Sequence, residues 1–296
     1  MFHNEVSALI TLMEDPDESI YHQVRNELRN YGEDILPHLE TYWEMRADDP
    51  MIHHRMQELI SSIHYEGTYN RLRRWLDDDQ PCLLELALLL NRYHNPTADE
   101  IELKQKVHKI RQHIWLELND NLTALEEIKV LNHVFFTLGG FQAQQEVSTQ
   151  PRHIYLEDVL GSRTGSGLSI GVLYAYLAES LDMPVQIINL PGRCMLSYSG
   201  FRPEDIFEVA ASEIKEQALF FVQPDLNGEV IHRTDIEKYL MHHAIPSRDI
   251  FFEPSSKINI AGRLIGQLIH VYIGLGNEDR VRELKTLQSL ILEREF

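Results

Sequence analysis

Apolar residues recur at helical spacing through the first 65 residues, and short polar turns with aspartate, proline or glycine separate the runs. This pattern predicts four helices, with an Asp-Pro turn ahead of the second and the fourth. The apolar set of the second helix recurs in the fourth about 32 to 34 residues later, which is typical of HEAT-like repeats that stack against neighbours. We therefore expect four side chains to be buried between helices: Ile20, Val24, Ile52 and Met56.

Further helices are predicted at 69–76, 82–93, 97–116 and 124–138, and a polar loop is predicted at 142–152. A Gly/Ser loop then leads into an apolar helix that begins near Gly167. This helix ends before Pro184, because proline disfavours helical geometry in the residue before it. The apolar runs at 185–190 and 193–198 predict two strands joined by a turn at Pro191-Gly192.

The remaining pattern predicts a β-hairpin and a helix hairpin. Strands at 219–222 and 229–232 flank Asn227-Gly228, a dipeptide typical of hairpin turns. The acidic segment 203–215 fits either a short helix or an exposed loop, and two helices after Pro254 are similar to a tetratricopeptide unit. We predict a mostly helical α+β fold with a small antiparallel sheet, divided into a HEAT-like region at 1–95, a core at 96–255 and a helix hairpin at 256–296.

A series of short motifs along the chain carries a family resemblance. The helix start contributes Arg163, Gly165, Leu168, Ser169, Gly171, Leu173 and Tyr174, and further motifs lie at 131–136, 139–141, 155–160, 191–194 and 223–228. In their order and spacing these motifs resemble the bacterial transglutaminase-like regulator family of the Sir B type, over roughly residues 100 to 290. The resemblance implies a degenerate papain-like or transglutaminase-like core with a regulatory role, and it names no ligand.

The positions of the family's catalytic triad hold residues that cannot perform acyl transfer. Such chemistry needs a nucleophile at the helix start, a base on the following strand and a group that orients the base. By the resemblance these positions are Gly167, Arg193 and Gln223. Glycine has no side chain that could act as a nucleophile. Arginine stays protonated at physiological pH and cannot accept a proton. The sequence therefore predicts no catalytic residue and a non-catalytic binding or regulatory module.

Two other side-chain groups leave a residual hydrolase or acyltransferase open as an alternative. Ser166 and Ser169 lie at the helix start, where a hydroxyl could act as a nucleophile but serine more often caps the helix. Cys194 follows Arg193, which could lower the pKa of the thiol, but a cysteine between apolar strand residues more often packs as a small hydrophobe. A cleft plugged by Cys194 and Met195 would favour a third function, a protein-docking scaffold with a closed cleft.

Two arginines near the helix start suggest a binding site for an anion. The helix start presents unpaired N–H groups and the positive end of the helix dipole, and Arg163 and Arg193 add charge on either side. The alternative is that both arginines pair with internal acidic groups such as Asp225 or Glu229. The candidate cleft residues are Arg163, Ser166, Gly167, Ser169, Arg193, Cys194 and Gln223.

Composition limits the classes of partner. The chain has 46 acidic and 27 basic side chains and a formal net charge of −19, which argues against nucleic acid and anionic membranes. We expect a protein partner, with a small anion or peptide in the cleft and self-association as further options. No signal-peptide-like start and no apolar run of membrane length are evident, which predicts a cytoplasmic protein. Neither the 15 histidines nor the 2 cysteines have metal-binding spacing, so we expect no metal and no cofactor.

Overall fold

A computed structural model of the protein describes residues 2–46, 49–144, 149–200 and 218–295. The chain forms two compact units, Met1–Arg74 and Trp75–Phe296. Compact units and domains of a family are different divisions of a chain, so the boundaries predicted at 95 and 255 stay predictions. The segment 203–215, predicted as a short helix or loop, lies outside the described residues.

Four helices build the first unit: α1 (Phe2–Leu12), α2 (Glu18–Asn30), α3 (Leu36–Met45) and α4 (Pro50–Leu76). Asp17 caps α2, because its carboxylate accepts a hydrogen bond of 2.8 Å from the N–H of Ser19. The separate helix predicted at 69–76 is wrong, since these residues continue α4 without a break. No proline interrupts 51–76, and a single glycine, Gly67, costs only about 1 kcal/mol within a helix, which explains the continuity.

The apolar stripes of the first unit form one core. Val24, Ile52 and Met56 are buried there as predicted, but Ile20 is not, because 37% of it is exposed. The buried face of α2 consists of Tyr21, Val24 and Leu28, and Ile20 lies beside that face at the helix start. The buried guanidinium of Arg55 donates to the backbone oxygens of residues 13 and 15 and so joins α4 to the turn that follows α1.

The second unit is helical around two small sheets. Its helices are α5 (Leu83–His94), α6 (Glu100–Glu117), α7 (Ala124–Asn132), a π-helix at His133–Leu138, α8 (Leu156–Ser162), α9 (Gly167–Glu179), α10 (Arg233–His242), α11 (Lys257–Gly274) and α12 (Glu278–Glu295). Its strands are β1 (Gln142–Gln144), β2 (Thr164–Ser166), β3 (Val185–Ile187), β4 (Leu196–Ser199), β5 (Ala218–Gln223) and β6 (Glu229–Ile231). The predicted mostly helical α+β class is confirmed.

The larger sheet is antiparallel in the order β3-β4-β5-β6, and the predicted hairpin between β5 and β6 is confirmed. The predicted loop at 142–152 is wrong in part, because β1 pairs in parallel with β2. The strand predicted to begin at Arg193 begins instead at Leu196, so Arg193 lies in a bend before β4. Pro191-Gly192 lies ahead of this bend, and Gly192 has a φ of +75°, a conformation suited to glycine.

Helix α9 is the centre of the second unit, because it is buried on nearly all sides and begins directly after β2. The helix hairpin α11–α12 belongs to the same compact unit. Arg263 of α11 donates hydrogen bonds to the backbone oxygens of Ile188 (3.1 Å) and Arg193 (3.2 Å). These bonds fix the loop between β3 and β4, which faces the start of α9.

Candidate functional site

Serine hydroxyls cap the start of α9. Ser166 Oγ accepts a hydrogen bond of 3.1 Å from the N–H of Ser169, and it lies 3.1 Å from the amide oxygen of Gln267, to which it donates. The hydroxyl of Ser169 lies 2.9 Å from Ser166 Oγ and 3.3 Å from the carbonyl oxygen of Ile154. Both serines are buried, and these contacts include no basic group that would activate a hydroxyl. Helix capping accounts for Ser166, and hydrogen bonds to Ser166 and to the Ile154 carbonyl account for the hydroxyl of Ser169.

Cys194 fills the space beside the start of α9. A Cβ atom placed on Gly167 would meet the Cβ of Cys194 at 4.0 Å, and one placed on Gly171 would meet the Cys194 Sγ at 2.3 Å. The thiol therefore packs against the backbone of α9 one turn after the position where the family's nucleophile would lie. Cys194 is 6% exposed and Met195 is 2% exposed, so the side chains that could plug the cleft do occupy buried positions.

Burial raises the pKa of the Cys194 thiol to about 12, because removal from water penalises the thiolate. The positive charge of Arg263 opposes this rise, and the negative charge of Asp225 adds to it. Since the thiolate is the nucleophile, a thiol that stays protonated at neutral pH is a poor one. The environment of Cys194 is that of a packed hydrophobe.

A thiol-labelling experiment tests this environment. We expect the native protein to expose one reactive thiol to an aromatic disulfide reagent, that of half-buried Cys82, while Cys194 stays unmodified. Native wild type and native Cys194→Ala should then give the same count of one thiol. In concentrated urea the count should become two thiols for the wild type and one for Cys194→Ala. A native wild type that releases two equivalents within minutes would contradict the buried, protonated thiol.

Arg193 is paired with an acidic group. Its Nε lies 3.0 Å from Asp225 Oδ2, and its guanidinium lies over the ring of Tyr239 at 5.3 Å from the centroid. The side chain of Asp225 is 7% exposed. For Arg193 this pairing is the alternative that the sequence left open, and it neutralises one of the two charges expected to hold an anion.

Gln223, at the third triad position, is 4% exposed and ends β5. The register pairs Val222 with Leu196, so Gln223 lies at the end of the sheet where Met195 precedes β4. Among the described residues, the amide nitrogen of Gln223 and Asp225 Oδ1 have no hydrogen-bond partner. The structure thus brings Gly167, Arg193, Cys194 and Gln223 to the region between α9 and the larger sheet, where none of the three triad positions holds an imidazole.

Arg163 has a different environment. It ends α8 in the left-handed conformation with a φ of +60°, and its carbonyl oxygen accepts a hydrogen bond of 2.8 Å from the N–H of Gln142. Its exposed guanidinium lies over the ring of Phe141, 4.7 Å from the centroid. The contacts of Arg163 are therefore with the segment around β1, whereas those of Arg193 are with Asp225 and Tyr239. An anion site formed by both arginines stays a prediction.

Asn132 is a half-buried connector between three elements, and its role was not predicted from the sequence. Its amide nitrogen donates to the carbonyl oxygen of Gly228 at 2.7 Å, and its amide oxygen accepts a hydrogen bond of 2.8 Å from the hydroxyl of Tyr174. It thus joins α7, the β5–β6 turn and α9. The motifs at 131–136 and 223–228 were both visible in the sequence, but only the fold shows that they meet.

A polar cleft of about 410 Å³ opens beside Asn132. It is lined by Lys129, Asn132, His133, Phe136, Thr137, Gln142 and Asn227. Lys129, His133 and Thr137 follow one another at intervals of four residues, which places them on one face of a helix. This four-residue spacing is the signal in the sequence from which a polar surface here could have been predicted.

Clusters of metal-ligand side chains and membrane-spanning helices are both absent from the described part of the chain. Within it, no group of three or more histidine, cysteine, aspartate or glutamate side chains is placed to hold a metal ion. No helix of that part has both the length and the apolar character needed to cross a bilayer.

Comparisons with known proteins identify relatives. A UPF0162 protein of Vibrio cholerae is 25% identical over 172 residues, which cover 57% of each chain. A UPF0162 protein of Pseudomonas aeruginosa is 30% identical over 121 residues, or 41% of this chain and 44% of the relative. The UPF0162 protein YchA of Escherichia coli K12 is 24% identical over 137 residues, which cover 46% of this chain and 45% of the relative. The matched segment spans about half the length of these curated relatives.

No solved structure matches the chain. The family model described as the transglutaminase-like superfamily matches residues 101–266, which include α9, both sheets and the candidate cleft. Because this match covers more than half of the chain, the protein belongs to the transglutaminase-like superfamily.

Proposed function

We propose that this protein is a non-catalytic binding or regulatory module on a transglutaminase-like scaffold, and that its former catalytic cleft is closed. The observation that carries the proposal is the position of Cys194, whose Sγ packs against the backbone of Gly171 beside Gly167. A substrate acyl group would need this space to reach the start of α9.

The chemistry of the surrounding groups supports the same function. Gly167 offers no nucleophile, and Arg193 is a permanent cation paired with Asp225. The buried amide of Gln223 could orient an imidazole, but position 193 holds none. Acyl transfer at this site would therefore lack its attacking group and the imidazole that the triad uses as its proton acceptor.

A residual hydrolase with a relocated nucleophile gains no support from the contacts of the remaining hydroxyl and thiol groups. Ser166 contacts Ser169 and Gln267, and neither is a general base. Burial raises the pKa of Cys194 to about 12. The closed cleft favours the docking function instead, and we include Sir B type membership, a cytoplasmic location and a protein partner in this proposal.

Activity measurements test the proposal. Amine incorporation into a glutamine-containing protein and cleavage of unstructured peptides should both stay at the level of the protein-free blank, for wild type and for Cys194→Ala. An active transglutaminase assayed in parallel sets the sensitivity. Turnover by the wild type that disappears in Cys194→Ala would overturn the non-catalytic function and identify Cys194 as the nucleophile. Turnover that persists in Cys194→Ala but disappears in Ser166→Ala would identify a serine.

A further inference from the structure

The polar cleft beside Asn132 has a lining suited to a ligand with negative charge. Six of its seven lining residues are polar or basic, and none is acidic. The chain as a whole has 46 acidic against 27 basic side chains. The cleft lining, which has basic residues and no carboxylate, therefore differs in charge from the rest of the chain. Such a local concentration of donors favours an anion that the rest of the surface repels.

Helix geometry sets the positions of the two basic side chains. Lys129 lies in α7 and His133 begins the π-helix, so the two lie on adjacent turns, with Cβ atoms about 6 Å apart by helix geometry. The N–H of Gly139 donates to the carbonyl oxygen of Val134 at 2.8 Å. This hydrogen bond joins residues five apart, as in a π-helix, and so widens the helix there. π-Helical turns of this kind are frequent at functional sites.

Both basic side chains are exposed and available. Within the described residues, neither Lys129 nor His133 forms an ion pair with a carboxylate. Glu126 is the acidic neighbour of Lys129 on the same helix; Lys129 attracts its carboxylate, but that carboxylate is hydrogen-bonded to the N–H and the hydroxyl of Thr123 at the helix cap. The ammonium group can therefore bind an external anion.

The polar residues of the cleft are part of a hydrogen-bonded framework. Asn132 binds the carbonyl oxygen of Gly228 and the hydroxyl of Tyr174. This fixes the adjacent Asn227, which has a left-handed φ of +53°. Gln142 lies at the start of β1, where its N–H is bonded to Arg163. Donors on a fixed frame lose little conformational entropy when a ligand binds.

We propose that this cleft binds a ligand with two carboxylates, held by Lys129 and His133 on adjacent turns and by polar groups of Thr137, Gln142 and Asn227. The inference rests on the proposed binding function and places its ligand site outside the closed catalytic cleft. Two sources share this chemistry: a small free dicarboxylate, or neighbouring glutamate side chains of a peptide. Two basic side chains on adjacent turns can each bind one carboxylate, so a ligand with two carboxylates joined by a short chain can contact both.

Titration calorimetry on the full chain tests the site with four probes. These are glutarate, the capped peptide Gly-Glu-Glu-Gly, the neutral peptide Gly-Gln-Gln-Gly and inorganic phosphate. Lys129→Gln and His133→Gln each remove one basic group from the cleft. Lys285→Gln is the matched control, because Lys285 is an exposed lysine on α12, outside the cleft lining. Circular dichroism and thermal unfolding establish that each variant is folded.

We expect glutarate, the acidic peptide or both to bind the wild type and the Lys285→Gln variant alike. Each cleft variant should weaken that binding at least about tenfold, because a charge-assisted hydrogen bond to a carboxylate is lost. Binding of glutarate alone identifies a small-molecule ligand, and binding of the peptide alone identifies a protein ligand. The neutral peptide should not bind.

Several results would overturn the site. These are the absence of binding by both carboxylate probes, equal binding by Lys129→Gln and wild type, or binding of phosphate in place of the carboxylates. The proposed non-catalytic function is tested by a different measurement, and turnover that depends on Cys194 or Ser166 would contradict it. Failure of one proposal can therefore be distinguished from failure of the other.

Discussion

Gly171→Ala is expected to lower the free energy of unfolding by about 1–2 kcal/mol, although alanine is the better helix former. The added Cβ would lie 2.3 Å from Cys194 Sγ, closer than packed atoms approach. Overpacking of a dense core costs about 1–3 kcal/mol, and replacing a helical glycine recovers at most about 1 kcal/mol. The measurement is urea unfolding followed by circular dichroism.

A second substitution isolates the contact with the thiol. In a Cys194→Ala background the Sγ atom is absent, so Gly171→Ala should become neutral or stabilising by up to about 1 kcal/mol. The coupling energy of this double-mutant cycle should reach about 2 kcal/mol, within the range for residues in contact. Gly266→Ala in α11 is the matched control, because its Cβ would meet its nearest neighbour at an ordinary 3.7 Å. A coupling energy near zero would contradict a cleft closed by Cys194.

The cycle also bears on function. If Cys194 left the space beside Gly167 free, a methyl group on Gly171 would meet no thiol and would cost nothing. A large coupling energy would show that the side chain occupies in solution the space that a substrate would need. The proposed loss of catalysis would then have two independent causes: missing reactive groups and a filled cleft.

Local sequence signals were sufficient for most helices and for the hairpin. The period of apolar residues predicts α11, whose Ile260, Leu264 and Leu268 are buried, and Asn227-Gly228 predicts the turn between β5 and β6. These features depend on residues close together in the chain. The structure accordingly confirms the class and the order of these elements.

Features that depend on distant residues were missed. Strand β1 is polar and three residues long, and only its pairing with β2 makes it a strand. Ile20 has the right spacing for burial, yet the neighbours of α2 cover Tyr21 in its place. In both cases tertiary contacts decide between local alternatives that the sequence leaves open.

The candidate site shows the same division. The chemical incapacity of Gly167, Arg193 and Gln223 follows from residue type alone, so it could be derived from the sequence once the family positions were recognised. The packing of Cys194 against Gly171 and the polar cleft at Lys129 depend on how distant segments meet. Their motifs were visible, but their contacts required the fold.

Gly228→Ala is expected to have the largest effect on stability, a loss of about 3 kcal/mol. Gly228 has a φ of +79°, which costs an L-residue roughly 1–2 kcal/mol. Its added Cβ would lie 2.4 Å from Cγ of Asn132, so the amide that bonds to Gly228 and to buried Tyr174 would have to move. Leaving these groups unpaired costs about 1–3 kcal/mol more. Thermal and urea unfolding measure the loss.

Two variants separate the two contributions to this loss. Gly140→Ala carries the same kind of conformational cost at a φ of +69°, but its Cβ would meet nothing within 4 Å, so we expect a loss of about 1–2 kcal/mol. In an Asn132→Ala background the clash is absent, and Gly228→Ala should then cost no more than Gly140→Ala does. Equal losses for Gly228→Ala and Gly140→Ala in the wild type would show that Asn132 does not hold the turn.

Because Asn132 and Asn227 line the polar cleft, a Gly228→Ala protein that remains folded should also bind the carboxylate probe more weakly than the wild type.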